Sequence, residues 1–158
     1  MKTIVFFGHR KFVKENELKL KLEGVLKEVA SNIDVHFLVG THGKFDSMAM
    51  MSCLNHKKIN KAVKITVVLT SLSHLKRDKF GFSDIYYYEM MGCETMLYDI
   101  EEVYFKNRIV VSNKMMVDDC DLVICYVDPT KSKSGAGRAV KYAIKRGKPV
   151  INLFSEED

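Results

Sequence analysis

The chain has 158 residues, of which 47% are hydrophobic and 28% charged, as expected for a soluble globular protein with one domain spanning residues 1–158. No apolar run approaches the ~18 residues needed to cross a bilayer, and the run 4–7 is too short for a signal peptide. We therefore expect a cytoplasmic protein without membrane contact. The four cysteines lack a CxxC pair and metal-finger spacing, which favours packing thiols in a reducing compartment.

The formal net charge of +5 favours anionic ligands or partners. Many lysines alternate with glutamate over 14–27, which is typical of a solvated helix face. A nucleic-acid-binding protein would more often carry a one-sided basic stripe, and none is visible. Nucleic acid is thus an allowed partner but not the favoured one.

The first half of the chain alternates strand and helix patterns. A β-branched and aromatic run at 3–7 predicts a strand buried on both faces, and a leucine and valine stripe predicts a helix over 15–31. A second predicted strand, 34–39, ends at a glycine like the first. A helix over 45–57 and a strand over 62–69 follow.

The stretch 70–105 is the hardest to interpret. Ser83-Asp84 favours the start of a short helix, and 94–99 a short strand. The tyrosine run 86–88, with Phe80 and Phe82, could stack on a base or form an oligomer contact, and core packing is the interpretation that we favour.

Regular alternation resumes in the last third of the chain. The predicted elements are a helix over 103–118, a strand over 122–127, a helix over 134–146 and a strand over 149–154. This order predicts an α/β fold, with a three-layer, Rossmann-like, doubly wound and mostly parallel sheet that carries helices on both faces.

Three predicted strands run into unusual loops at their carboxyl ends, where open α/β sheets bind ligands. The first meets Gly8-His9-Arg10, the second Gly40-Thr41-His42-Gly43, and the fifth Asp128 and then Ser134-Gly135-Ala136-Gly137. Two of these loops precede helices, whose N-termini favour phosphate. An arginine after a strand-end glycine is also well placed to bind an anion.

Simpler interpretations of these residues remain open. Gly8 and Gly40 could be turn glycines, and His9 could contact a ligand or cap a loop. The candidate ligand-binding residues are Gly8, His9, Arg10, Gly40, Thr41, Gly43, Asp46, Asn113, Asp128, Ser134, Gly135 and Gly137.

Several familiar motifs are absent. Gly43-Lys44 is followed by Phe45, which excludes a Walker A loop, and Val140 stands where a dinucleotide fingerprint needs its third glycine. The five histidines lack metal-site spacing. We expect neither a metal nor a tightly bound cofactor.

Five segments occur in the order of a known set of motifs. They are Phe7-Gly8-His9-Arg10, residues 40–46 (GTHGKFD), residues 113–118 (NKMMVD) with Asp121, residues 134–143 (SGAGRAVKYA), and Lys148-Pro149-Val150. Together they resemble the TGHR, GGALGxD, RNxxMVDxSD and GGTxxxVxYA motifs of the YpsA-like branch of the SLOG superfamily (Smf/DprA–LOG). The resemblance covers residues 4–153.

The resemblance implies a Rossmann-like domain that binds a nucleotide or a nucleotide derivative, often as a sensor, and that forms a homo-oligomer. Relatives of the LOG branch cleave the N-glycosidic bond of cytokinin nucleotides, and Smf/DprA relatives handle single-stranded DNA. Some positions depart from the family pattern: Phe7 replaces threonine, and Ser112 replaces an arginine for which Arg108 could compensate. The glutamate of the LOG catalytic motif PGGxGTxxE is missing, so LOG-type hydrolysis is not expected.

The favoured function is therefore the binding of a nucleotide-like small molecule. Arg10 is expected to pair with phosphate, and the N–H groups of 41–43 and 135–137 to surround it. Asp46 would fix a loop or a ribose hydroxyl, and Asn113 would bind the ligand or hold the neighbouring loop. The alternatives are a hydrolase acting on an N-glycosidic or phosphate bond, with Asp46, Asp118, Asp128 and His9 as candidate acids and bases, and a module that binds single-stranded nucleic acid or protein.

Overall fold

The computed structural model describes residues 1–98, 100 and 102–156. Within them, the strands are β1 Lys2–Gly8, β2 Val35–Val39, β3 Val63–Leu69, β4 Glu94–Leu97, β5 Leu122–Tyr126 and β6 Val150–Asn152. The helices are α1 Glu15–Val29, α2 Lys44–Ile59, α3 Asp84–Met90, α4 Arg108–Asp119 and α5 Gly135–Lys145. Most predicted elements are confirmed to within two residues at each end.

The strands form one sheet in the order β4-β3-β2-β1-β5-β6, and each neighbouring pair is parallel. Val5 of β1 stands between Leu38 of β2 and Val123 of β5. The strand order reverses between β1 and β5, which is the point where a doubly wound sheet opens a crevice. The predicted Rossmann-like α/β architecture is confirmed.

Helices cover both faces of the sheet, because alternate residues of each buried strand point to opposite sides. On one face, Phe6 and Phe37 pack with leucines of α1 and with Phe45 and Ala49 of α2. The other face of the sheet packs against the buried residues of α4 and α5. None of the described helices has the length and apolar character that a bilayer crossing requires.

The helix predicted over 103–118 starts later than expected. The N–H of Val103 donates to the Ile100 carbonyl, and that of Asn107 donates to the Tyr104 carbonyl, so tight three-residue turns precede α4. Phe105–Asn107 is accordingly a 3-10 turn, and α4 begins at Arg108. The predicted strand 94–99 ends at Leu97, and Asp99 lies outside the described residues.

The core packing predicted for the aromatic run is wrong for four of its five members. Phe80 is 68% exposed, and Phe82, Tyr86 and Tyr87 are each 39% exposed, whereas Tyr88 is half-buried. The cause is the shortness of α3, which packs against the core through Ile85 and Tyr88, one turn apart. Its other aromatic side chains point to solvent.

Candidate functional site

A cavity of about 310 Å³ opens at the carboxyl ends of the strands, beside the reversal point of the sheet. It is bordered by the end of β1, the loop after β2, one side of α4 and the N-terminus of α5. The lining residues are Phe6, Phe7, Gly8, His9, Arg10, Gly40, His42, Asp46, Ile109, Asn113, Met116, Ser134, Gly135 and Ala136.

Gly8 allows α2 to start directly against the end of β1. A Cβ atom added at this residue would lie 2.2 Å from the ring of Phe45, which is completely buried. Gly8 is therefore needed for close packing, and the contact places the first turn of α2 at the cavity.

Gly43 holds the Arg10 backbone close to the same helix. Its φ of +104° belongs to the region that favours glycine, and an added Cβ would lie 2.5 Å from the Arg10 Cα. The N–H of Lys44 also donates to the Arg10 carbonyl over 3.0 Å. These contacts fix the base of the Arg10 side chain at the cavity wall.

Asp46 is the buried acid of the cavity, with only 8% of its surface exposed. Its Oδ2 accepts the His42 N–H over 2.8 Å, so the carboxyl does fix the loop, which is one of its two predicted functions. Burial raises the pKa of Asp46 to about 7, although this hydrogen bond and the Arg10 charge act in the opposite direction. Near neutral pH the group can therefore donate or accept a proton.

His42 lines the cavity but is not among the predicted site residues. Its Nε2 lies 3.0 Å from the hydroxyl of Thr70, the residue that follows β3. Burial, and then the charges of Arg10 and His74, lower the pKa of His42 and favour the neutral ring. In the sequence, His42 stands between two loop glycines. That position predicts ligand binding by its backbone N–H group, but it predicts nothing for its side chain.

His9 bridges the ends of β1 and β5. Its Nε2 accepts the N–H of Asp128 over 2.8 Å, which requires a neutral ring with its proton on Nδ1. Burial, followed by the charge of Lys131, lowers the pKa of His9 and agrees with this assignment. His9 thus has a structural bond and also lines the cavity.

The N-terminus of α5 closes the site. Ser134 caps the helix by accepting the Gly137 N–H over 3.0 Å, while Gly135 and Ala136 line the cavity. The first N–H groups of a helix have no partner inside it, and they carry partial positive charge. Gly137 instead packs against the Ser132 backbone, where an added Cβ would lie 2.6 Å from the carbonyl oxygen.

One side of α4 supplies the least polar wall of the cavity. Ile109, Asn113 and Met116 line it, and their spacing of four and three residues places them on one helix face. Only Asn113 is among the predicted site residues. The spacing of four and three residues is visible in the sequence and could have identified Ile109 and Met116 as its neighbours on the same helix face. Arg108 does not line the cavity, and its Nε donates to the Val103 carbonyl.

Eight of the twelve predicted residues therefore border one cavity, and the other four do not line it. Asp128 caps the 3-10 turn Pro129–Lys131 through the Thr130 N–H. Gly43 and Gly137 allow close backbone contacts with Arg10 and Ser132, and neither they nor Thr41 line the cavity. Among the described residues, no group of three or more histidine, cysteine or acidic side chains is arranged to hold a metal ion.

Neither the scan against protein-family models nor the search of curated proteins finds a match to this chain.

Proposed function

We propose that the protein binds a nucleoside phosphate in the cavity beside Gly8. The observation that carries this proposal is the presence of a helix N-terminus and an arginine in one small cavity with an apolar wall. Arg10 is the cationic side chain among the described residues that line the cavity, and the N–H groups of Gly135 and Ala136 supply neutral donors. Such a combination of a guanidinium and free backbone donors suits the oxygens of a phosphate.

The cavity favours a ligand of mononucleotide size. Its volume of about 310 Å³ is at the small end of the ~300–1,000 Å³ typical of ligand sites. A phosphate would lie at the start of α5 near Arg10, while Ile109 and Met116 would contact the flat, less polar base. Asn113, between them on the same face of α4, would donate to or accept from the base or ribose.

Asp46 suits such a ligand because its carboxyl, with a pKa of about 7, is partly neutral near pH 7. A neutral acid donates a hydrogen bond to a ribose hydroxyl or a phosphate oxygen, whereas a buried carboxylate would repel the phosphate. The resemblance to the SLOG superfamily supports the same class of ligand, and binding without turnover would agree with a sensor function.

Isothermal titration calorimetry with AMP, GMP, CMP and UMP tests the proposal. Replacing Arg10 by alanine should weaken binding of the preferred nucleotide by about 10- to 100-fold, the range for a lost charge-assisted hydrogen bond. Lys11→Ala is the matched control, since Lys11 is the next cation along the chain and does not line the cavity. Equal affinity in both variants, or no binding by the wild type, would refute the proposal.

The raised pKa of Asp46 also favours a second candidate, hydrolysis of the N-glycosidic bond. In that reaction the bond between the sugar carbon and the base nitrogen would break as Asp46 protonates the leaving base. Water would then add to the sugar carbon, and the proton that it releases would return to the Asp46 carboxylate. Chromatography would detect free base released from a bound nucleotide. An Asp46→Asn variant should still bind but release none, and the absence of release by the wild type would leave binding as the function.

A further inference from the structure

The connection between β3 and β4 exposes an unusual amount of apolar surface. Between residues 72 and 92 the structure buries no side chain completely, although the segment includes a 3-10 turn, Leu72–Leu75, and α3. We define the aromatic patch as the large apolar side chains of this segment that are exposed: Leu72, Leu75, Phe80, Phe82, Tyr86, Tyr87, Met90 and Met91.

The aromatic patch is organised rather than loose. The Phe82 and Tyr86 rings are stacked, with centroids 4.4 Å apart and planes within 10°. The Asp78 carboxylate accepts the Phe80 and Phe82 N–H groups and the Tyr87 hydroxyl, and so ties the loop to α3. A surface with this many internal restraints is prepared for contact at a small cost in side-chain entropy.

The area of the aromatic patch matches one side of a stable protein interface. Its eight residues are 39 to 70% exposed, and at ~200 Å² for a large residue their summed exposed area is roughly 800 Å². A standard interface buries ~800 Å² on each partner, whereas the largest apolar patch of a monomer is usually ~300–600 Å². Tyrosine, phenylalanine and methionine are also enriched at protein interfaces.

The charges around the aromatic patch favour a second copy of this chain over an anionic partner. The segment contains three cations, Lys76, Arg77 and Lys79, and three carboxylates, Asp78, Asp84 and Glu89. It is therefore balanced, although the whole chain has a net charge of +5. Nucleic acid would select a one-sided excess of positive charge, whereas a self-complementary surface contains both signs.

We infer that the protein forms a two-fold symmetric dimer through the aromatic patch. The Asp78–Tyr87 hydrogen bond holds the basic loop beside α3, and Glu89 lies in the last turn of that helix. We therefore expect Arg77 of one copy to pair with Glu89 of the other across the two-fold axis. The inference does not depend on the nucleotide site.

Sedimentation velocity over micromolar to submillimolar concentrations tests the inference on the full chain. The wild type should sediment as a dimer of twice 18.1 kDa. Met90→Glu should weaken association by about 30-fold or more, because it places a charge among the apolar side chains of the aromatic patch. Leu20→Glu is the matched control, since both side chains are 70% exposed and Leu20 lies on α1.

Circular dichroism would verify that both variants are folded. A wild type that stays monomeric, or equal weakening by the two substitutions, would overturn the inference. A third outcome would also overturn the inference: a wild type that stays monomeric and binds single-stranded DNA, with the binding abolished by Phe80→Ala. That result would make nucleic acid the partner of the aromatic patch. A charge exchange tests the pairing across the axis: Arg77→Glu should weaken the dimer, and adding Glu89→Arg should restore it, whereas further weakening would contradict this pair.

Discussion

Two glycines that line the cavity, Gly8 and Gly135, differ in the space around them. On the β1 side, a Cβ added at Gly8 would lie 2.2 Å from the Phe45 ring, and one at Gly43 would lie 2.5 Å from the Arg10 Cα. At the start of α5, no atom lies within 4 Å of a Cβ added at Gly135. Crowded glycines hold the fold together, whereas the open glycine leaves room for a ligand beside a helix N-terminus.

Gly43→Ala should have the largest effect on stability. At φ +104° and ψ −172° the Gly43 backbone lies in a region essentially confined to glycine, which costs an L residue ~1–3 kcal/mol, and the contact with the Arg10 backbone places the expected loss at about 3 kcal/mol in urea unfolding. Gly81→Ala is the matched control, because Gly81 has a φ of +85° and nothing within 4 Å of an added Cβ. The Gly81→Ala variant should lose only ~1 kcal/mol. Equal losses in the two variants would show that the close contact between Gly43 and Arg10 is unimportant for stability.

Asp46→Asn should have an intermediate effect that depends on pH. Because burial raises the pKa of Asp46 to about 7, the stability from its protonation is present below the unfolded pKa and is lost as pH rises through about 7. Asparagine does not titrate, so the variant should gain about 3 kcal/mol relative to wild type between about pH 5 and about pH 8.5. The histidines titrate in both proteins, so their contribution cancels in the comparison. If the unfolding free energies of the two proteins changed in parallel with pH, the raised pKa of Asp46 would be contradicted.

Gly135→Ala should have the smallest effect on folding, within about 0.5 kcal/mol, since the methyl group meets no atom. It should nevertheless weaken nucleotide binding, because the methyl group enters the cavity. Gly24→Ala in α1 is the matched control, with similar open space far from the cavity lining. Calorimetry showing unchanged affinity in both variants would mean that the ligand does not approach Gly135.

Much of the fold follows from local patterns in the sequence. Buried strands such as 3–7 and 122–127 are continuous apolar runs, and Ser83 and Ser134 each cap a helix where one is predicted. The predicted start of α4 is wrong, because the turns before it depend on hydrogen bonds that periodicity does not reveal. The exposure of Tyr86 and Tyr87 does not follow from the sequence pattern, because it depends on α3 being too short to bury them.

The position of the cavity is predictable from the sequence, but its electrostatics are not. Strand-end loops identify the edge of a parallel sheet where a cavity forms, which is why Gly8, Gly40 and Gly135 all line it. The burial of Asp46 and the contact of His42 with Thr70 arise from packing between distant segments. No spacing in the sequence encodes these contacts.

The hydrogen bond between His42 and Thr70 has a consequence for thermodynamic linkage. His42 lines the cavity, and Thr70 lies two residues before the segment that holds the aromatic patch. If the bound ligand changes the dimerisation constant through this contact, dimer formation must change the ligand affinity by the same factor. The apparent affinity for a nucleotide would then vary with protein concentration, which makes titrations at several concentrations a direct measure of that coupling.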